Sequence, residues 1–285
     1  MPVNSGKSEK LPCNLCGAFV FNTVLDCEGF SFVRCESCGL VQRNPQPVKD
    51  EIIARYADIY GNDYLSYELE NEASFLRLQQ LALKDAGFPD LEKKLLSRNS
   101  GFINTAPAIL DIGCATGAVL AYLKERGWRV TGVEISPGAE YGRKTRNLDI
   151  RSIPLEENNF PPECFDVVLA SHLIEHLNNP RAFLSEINRI LKNGGYVFIT
   201  TPNIGGFQSR VFGSRWRSAI FDHLYLFSAW TLIQMLKSAG FKKEILRTWG
   251  GLAAGIAPSW LKKTADFLAK RLGFGDVMVI RAKKL

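Results

Sequence analysis

The chain has 285 residues, of which 46% are hydrophobic and 22% are charged, and this balance indicates a folded globular protein rather than a disordered one. The formal net charge of +6 is concentrated late in the chain, since residues 201–285 hold 14 Lys and Arg against four Asp and Glu. The polar first ten residues lack the apolar core of a secretory signal, and no run of roughly 18 apolar residues indicates a membrane span, so we expect a cytoplasmic protein.

Two closely spaced cysteine pairs, CNLCG and CESCG, stand near the start of the chain. In a reducing compartment such pairs bind metal more often than they form disulfides, and their C-x2-C spacing is typical of a tetrahedral Zn²⁺ site. Because thiolates fill all four positions, the zinc is expected to be structural; two free cysteine pairs are the alternative. We therefore predict a zinc ribbon over residues 1–50, with a hairpin between the pairs and the ligands Cys13, Cys16, Cys35 and Cys38.

Residues 51–105 are predicted to form a helical linker or lid. Phe75, Leu78, Leu81 and Ala82 recur at helical spacing, which indicates one apolar face. Four tyrosines precede this stretch, either as packing residues or as part of a lid over a substrate: Tyr56, Tyr60, Tyr64 and Tyr67. The following residues, LEKKLLSRNSGFINTAP, are interpreted as a polar linker.

From residue 106 onward, short apolar runs alternate with amphipathic helical stretches, which predicts a Rossmann-like α/β domain with helices on both faces of a parallel sheet. Ligands of such sheets bind beyond the carboxyl ends of the strands. The first strand ends in LDIGCATG, where Gly113 permits a sharp turn and Gly117 permits close packing of the helix on the strand. Ala115 departs from the G-x-G-x-x-G dinucleotide fingerprint. Glu134 ends the next strand, where a carboxylate can accept both hydroxyl protons of a ribose.

Five stretches, in this order, resemble the motifs of class I S-adenosylmethionine-dependent methyltransferases: ILDIGCATG, GVEIS, FDVVLASHLIEHLNNP, LKNGGYVFITTPN and HLYLFSAWTLIQMLKSAGF. The resemblance covers about residues 107–250, and DVMVIRAKK resembles the closing antiparallel strand of the seven-stranded sheet of that family. With its ribbon, the chain is similar to bacterial methyltransferases associated with small-molecule or cell-envelope glycan synthesis.

The resemblance implies roles for individual residues. Asp111 and Gly113 would lie near the methionine moiety of the cofactor, Glu134 would hold the ribose, and Leu155 and Glu156 would flank the adenine. The complete set of expected cofactor-binding residues is Asp111, Gly113, Ala115, Gly117, Glu134, Ile135, Leu155, Glu156, Ser171 and His172.

Residues 172–176 read HLIEH, the H-x-x-E-H pattern of one class of zinc peptidases. That site needs a long helix to present both histidines on one face, whereas here a strand runs into the motif and NNP ends it within a turn, so we interpret the match as chance. All three histidines of the chain fall within the resembling motifs. His176 is the predicted general base and His223 the second candidate. The alternative is that His176 satisfies a buried carbonyl and Glu175 caps a turn.

Two further segments lie outside the motifs. A substrate insertion is expected at about 204–222, where Arg210, Arg215 and Arg217 would hold an anionic or sugar-bearing acceptor or would simply be solvated. A C-terminal helix at about 258–272 is expected to pack on the sheet or to contact an anionic membrane surface.

We therefore expect methyl transfer to a small molecule or glycan precursor, at a hydroxyl group. One alternative is an RNA methyltransferase that uses the ribbon and the basic C-terminal half, although residues 1–50 carry no net charge. The other is a non-catalytic binding module on the same fold. The sequence leaves the acceptor and the oligomeric state open.

Overall fold

The computed structural model describes residues 8–48, 51, 62–97, 106–250, 269–270 and 273–285. Most of the predicted C-terminal helix lies outside these residues, as do Tyr56, Tyr60 and the side chain of Tyr64. Within the described ranges, none of the helices combines the length and apolar character that a bilayer crossing requires.

The N-terminal part forms two small antiparallel sheets. Strand β1 (Ser8–Glu9) pairs with β5 (Gln46–Pro47), and strands β2 (Phe21–Cys27), β3 (Phe30–Cys35) and β4 (Val41–Arg43) lie side by side. Gly29 adopts a positive φ of 84° in the tight turn from β2 to β3, where a residue without Cβ is favoured. The hairpin predicted between the cysteine pairs is therefore present.

Two helices connect the N-terminal sheets to the central domain. Helix α1 spans Asn62–Asp85 and helix α2 spans Phe88–Ser97. The interpretation of residues 91–97 as linker is wrong, because Leu91 and Leu95 are buried on one face of α2 while its lysines face solvent. The helix predicted through Ala82 is present and Ala82 is buried, but Leu78 is 62% exposed, so the predicted apolar face does not pack against the core along its full length.

The central sheet has seven strands in the order β12, β13, β10, β9, β6, β7, β8. The pairs from β10 to β8 are parallel, whereas β13 runs antiparallel to both of its neighbours. This arrangement confirms the predicted Rossmann-like fold with an antiparallel closing strand. The strands are β6 (Ala108–Ile112), β7 (Arg129–Val133), β8 (Ile150–Arg151), β9 (Phe165–Ser171), β10 (Leu191–Pro202), β12 (Phe241–Trp249) and β13 (Val277–Lys284).

Helices cover both faces of the central sheet because consecutive strand residues point to opposite faces. On β6, Ile109 packs into the layer that contains α2, while Leu110 packs into the opposite layer. The remaining helices are α3 (Ala118–Glu125), α4 (Gly138–Arg146), α5 (Pro180–Ile190), α6 (Phe207–Phe212) and α7 (Ala229–Ser238). Helices α5 and α7 contribute to the layer of Leu110, and α3 to that of Ile109.

The cysteine-containing sheet is completed by a strand from the central domain. Strand β11 (Tyr225–Leu226) pairs with β4 and gives the four-stranded order β11, β4, β3, β2. The Arg43 N–H donates to the Leu224 carbonyl at 2.8 Å, and the Arg43 guanidinium donates to the Phe221 carbonyl at 2.9 Å. The N-terminal sheet is therefore hydrogen-bonded directly to the segment that carries His223.

Candidate active site

A cavity of about 1470 Å³ opens at the carboxyl ends of the parallel strands, where the fold predicts a ligand. Loops after β6, β7, β9 and β10 form its walls, and α1 contributes residues such as Phe75 and Leu78. Ten of the sequence-predicted residues line it: Gly113, Ala115, Glu134, Ile135, Leu155, Glu156, Ser171, His172, His176 and His223. The predicted residues Asp111 and Gly117 do not line the cavity. Asp111 lies in β6, and Gly117 ends the loop just before α3.

The loop after β6 is held in a fixed conformation by backbone hydrogen bonds. Gly113 has φ 73° and its N–H donates to the Val133 carbonyl at 2.8 Å. Ala115 also has a positive φ, 49°, which costs a non-glycine residue roughly 1–2 kcal/mol. Its N–H donates to one Glu134 carboxylate oxygen at 2.9 Å, and the Ser136 N–H donates to the other at 2.8 Å. The carboxylate is thus fixed at the end of β7, on the cavity wall.

Close packing around this loop depends on two glycines. A Cβ at Gly117, the first of them, would lie 2.6 Å from a Leu148 methyl carbon. A Cβ at Gly138 would lie 2.9 Å from the backbone carbonyl carbon of Ala115, so only glycine lets the start of α4 approach the loop this closely. This role of Gly138 was not predicted from the sequence. The one local signal for it is that a glycine, rather than a residue with a side chain, directly follows Ser136 and Pro137.

Asp111 lies beneath the loop and is 2% exposed. Burial and, to a smaller extent, the nearby charge of Glu134 together raise the pKa of this carboxyl group to about 8. At neutral pH the group is therefore mainly protonated.

Helix α1 is joined to the same loop by a polar contact that the sequence did not reveal. Thr116 Oγ1 donates to the Glu72 carboxylate at 2.7 Å, and Arg146 binds that carboxylate at 2.6 Å. Arg146 also donates to the Thr116 carbonyl at 2.7 Å. Glu72 is one of several charged residues on a long polar helix, so its sequence context contains no signal for this role.

Two histidines that line the cavity contact each other. The rings of His176 and His223 lie 4.7 Å apart, edge to face. His176 Nδ1 lies 3.0 Å from the Asp222 carbonyl oxygen, and His223 Nδ1 lies 2.8 Å from that of Ser218. Because a carbonyl only accepts, both Nδ1 atoms donate, and the lone pair of each neutral ring is on Nε2. Burial, followed by the neighbouring His176, lowers the pKa of His223 to about 4.

Glu175 lies close to both histidines and is not a turn cap. Its side chain is 1% exposed, and its Oε2 accepts from Thr201 Oγ1 at 2.9 Å. Its Oε1 lies 3.4 Å from His172 Nδ1. Burial raises the pKa of Glu175, but the contact with His172 and the attraction of the other two histidines outweigh it and bring the pKa to about 2.

The conformation of the HLIEH motif excludes the peptidase interpretation. Residues Ile174–His176 form a single 3-10 turn after β9, and α5 begins only at Pro180. His172 lies before that turn with a positive φ of 51° and a side chain that is 52% exposed. The two histidines therefore do not share one face of a long helix.

The four predicted cysteine ligands converge. The sulfur atoms of Cys13 and Cys38 are 3.4 Å apart, those of Cys16 and Cys35 are 3.5 Å apart, and all four lie within 4.8 Å of one another. After each pair a glycine with positive φ closes a tight turn, as in the hydrogen bond from the Gly17 N–H to the Cys13 carbonyl at 2.8 Å. Tetrahedral zinc thiolates at about 2.3 Å place sulfurs about 3.8 Å apart, so this cluster matches the dimensions of such a site.

The family model described as a methyltransferase domain matches residues 84–245. The mitochondrial ubiquinone biosynthesis O-methyltransferase of Rattus norvegicus is 31% identical over 136 residues, which cover 43% of this chain and 39% of that protein. The malonyl-[acyl-carrier protein] O-methyltransferase of Paenibacillus sp. is 30% identical over 128 residues, which cover 40% of this chain and 46% of that protein.

Solved structures are similar as well. A SAM-dependent methyltransferase from Thermotoga maritima, described as a possible histamine N-methyltransferase, is 23% identical with a TM-score of 0.49, over 74% of this chain and 97% of that one. The matched segment spans less than half the length of the curated relatives.

Proposed function

Since the chain belongs to the methyltransferase-domain family, we propose that it transfers a methyl group from S-adenosylmethionine to a hydroxyl group of a small molecule or glycan precursor. The observation that carries this proposal is the single cavity in which the Glu134 carboxylate and the His176–His223 pair both line the wall. One part of the cavity matches the needs of a nucleoside cofactor, and the other holds imidazoles that can accept a proton.

The residues of the loop wall fit the cofactor chemically. Glu134 lines the cavity and its carboxylate is already oriented by two backbone N–H groups, so it is suited to accept hydrogen bonds from ribose hydroxyls. Asp111 and Gly113 would lie near the methionine moiety, Leu155 and Glu156 near the adenine, and Ser171 and His172 along the cofactor. S-adenosylmethionine supplies an electrophilic methyl group on a sulfonium, which becomes a neutral thioether when the methyl group leaves.

The imidazole pair would activate the acceptor. As the oxygen–methyl bond forms, the proton of the acceptor hydroxyl must leave, and Nε2 of His176 is the candidate to take it. His223 is the second candidate. The buried carboxylate of Glu175 belongs to the same cluster, and its charge opposes the lowering of the His223 pKa by burial.

The insertion suggests an acceptor with negative charge. Arg217 lines the cavity, and its Nε donates to Asp276 at 2.6 Å, which fixes the direction of the guanidinium. Trp216 is 2% exposed and donates to the same carboxylate, so it is a packing residue rather than part of a binding surface. We propose that Arg217 faces an anionic group of the acceptor.

We also propose that Cys13, Cys16, Cys35 and Cys38 hold one structural Zn²⁺, and that residues 1–50 form a zinc ribbon. The convergence of the four sulfurs supports this proposal. With four thiolates on the ion, no position is open to water.

Replacing Glu134 with Ala tests the cofactor assignment. We expect S-adenosylmethionine to bind more weakly by about 1–3 kcal/mol, because charge-assisted hydrogen bonds are lost, and we expect NAD not to bind the wild-type protein. Titration calorimetry measures both. Glu157→Ala is the matched control, since Glu157 is an exposed glutamate outside the cavity wall.

Equal or tighter binding of NAD would contradict the assignment. Absence of cofactor binding to the wild type would favour the non-catalytic binding module, and micromolar RNA binding that weakens steeply with salt would favour the RNA methyltransferase.

Cofactor binding is also expected to release a proton below pH 8. The pKa of the Asp111 carboxyl is about 8 without ligand, and a cationic cofactor would favour the carboxylate and so lower that pKa. Affinity should therefore rise with pH up to about 8 and then level off. Calorimetry at pH 7 in buffers of different ionisation enthalpy measures the release, which Asp111→Asn should abolish; identical heats in all buffers for the wild type would show that Asp111 does not titrate.

A further inference from the structure

Glu175, His176 and His223 form a compact cluster on the cavity side of the fold. One ligand atom from each residue lies within 4.8 Å of the other two. The three belong to two separate segments, the turn after β9 and the loop before β11, and the hydrogen bond from the Leu224 N–H to the Glu175 carbonyl at 2.8 Å joins these segments. Two imidazoles and one carboxylate are a common ligand set for divalent transition metals.

The histidines are oriented as metal ligands usually are. Each donates its Nδ1–H to a backbone carbonyl, of Asp222 for His176 and of Ser218 for His223. In metal sites this outer hydrogen bond fixes the ring and the tautomer and leaves Nε2 to bind the ion. Both rings also line the cavity, so an ion held by them would be accessible from it.

One oxygen of the buried Glu175 carboxylate lacks a hydrogen-bond partner among the described residues. Glu175 is 1% exposed, and its Oε1 has no hydrogen-bond partner of normal geometry. Among the described residues, the Glu175 carboxylate forms an ion pair with His172 at 3.4 Å and none with a lysine or an arginine. A buried carboxylate is costly unless a cation and hydrogen bonds compensate it, and a bound ion would do so.

We propose that Glu175, His176 and His223 bind one divalent transition-metal ion whose remaining positions face the cavity. The catalytic role of this ion rests on the proposed function, whereas the metal site itself does not. The ion would bind the acceptor hydroxyl oxygen and lower the pKa of that hydroxyl, so that the proton leaves to water before the oxygen takes the methyl group. In the metal-loaded protein the two Nε2 atoms then hold the ion instead of accepting the proton.

Mn²⁺ is the probe, because it prefers oxygen and nitrogen ligands and should leave the four-cysteine cluster untouched. Titration of the full chain, followed by electron paramagnetic resonance of free Mn²⁺, should show one site per chain. Glu175→Gln and His223→Gln should each weaken it by more than tenfold, since loss even of an outer hydrogen bond commonly costs 10–100-fold. Glu186→Gln is the matched control, because Glu186 lines the same cavity but is paired with Arg189 outside the cluster.

The wild-type result alone can refute the proposal, since absence of a Mn²⁺ site would overturn it whether or not the variants fold. Thermal unfolding would show whether Glu175→Gln and His223→Gln are folded. If one of them is not, His176→Gln is used in its place. Unchanged Mn²⁺ affinity in the folded variants would also overturn the ligand set, as would tenfold weaker binding in His172→Gln.

Cofactor binding is measured separately: a protein that binds S-adenosylmethionine but not Mn²⁺ refutes only the metal site, and the reverse result refutes only the proposed function.

Discussion

Replacing His176 with Ala is expected to lower turnover by about 10²- to 10⁴-fold, the usual contribution of a positioned group that removes a proton, while cofactor affinity stays nearly unchanged. The reason is geometric. Nδ1 of His176 is held by the Asp222 carbonyl, which directs the proton-accepting role to Nε2, and Glu134 belongs to the loop after β7 rather than to the turn after β9. The expectation holds whether Nε2 takes the proton itself or binds an ion that activates the hydroxyl.

Measuring this effect first requires an acceptor. Incubation with methyl-labelled cofactor and a metabolite extract, followed by mass spectrometry of the labelled product, would identify one, and initial rates with that acceptor would give turnover. His172→Ala is the control, because His172 stands in the same motif and is expected to affect the cofactor rather than the proton. Wild-type turnover in His176→Ala would transfer the role to His223 or to no protein group at all.

Loss of zinc is expected to disrupt the N-terminal sheet and, through it, the active site. Zinc binding contributes about 10–16 kcal/mol to the folding of small zinc domains, and Cys35→Ser removes one buried ligand. The damage should extend beyond residue 50, because β4 pairs with β11 and Arg43 holds the Phe221 and Leu224 carbonyls. We therefore expect a large loss of turnover, with His223 no longer held against His176.

Metal analysis and hydrogen exchange would check this expectation. Cys35→Ser should lose zinc and lose protection over β2–β4 and residues 218–226, while β6 and β9 stay protected. Cys27→Ser is the matched control: Cys27 ends β2 of the same sheet but stands outside the cluster, so zinc and protection should remain. A wild-type protein purified without chelator and free of zinc would refute the site, and unaltered exchange at residues 218–226 in the zinc-free variant would refute the coupling.

Local patterns in the sequence predicted much of the fold. Alternating apolar runs and amphipathic helices are set by neighbours a few residues apart, so the order of strands and helices after residue 106 could be read directly. The same holds for the glycine turn after β6, for Glu134 at the end of β7 and for the paired cysteines. The error at residues 91–97 had a local cause, since the charged run Glu92, Lys93 and Lys94 obscured the spacing of Leu91 and Leu95. Glu92 is itself buried, because its carboxylate accepts hydrogen bonds from Arg126 and from the Trp128 indole.

The sequence by itself determined the fold class, the carboxylate at the end of β7 that we propose for a ribose, and the four cysteines that we propose as zinc ligands, because each depends on spacing within one short segment. Only the tertiary structure decided which distant residues meet. It brought His223 against His176 and buried Glu175 close to both, placed Glu72 of α1 on the loop after β6, and completed the N-terminal sheet with β11. Such contacts depend on how separate elements pack, and the pairing of one buried carboxylate with two remote imidazoles has no periodicity that a sequence could display.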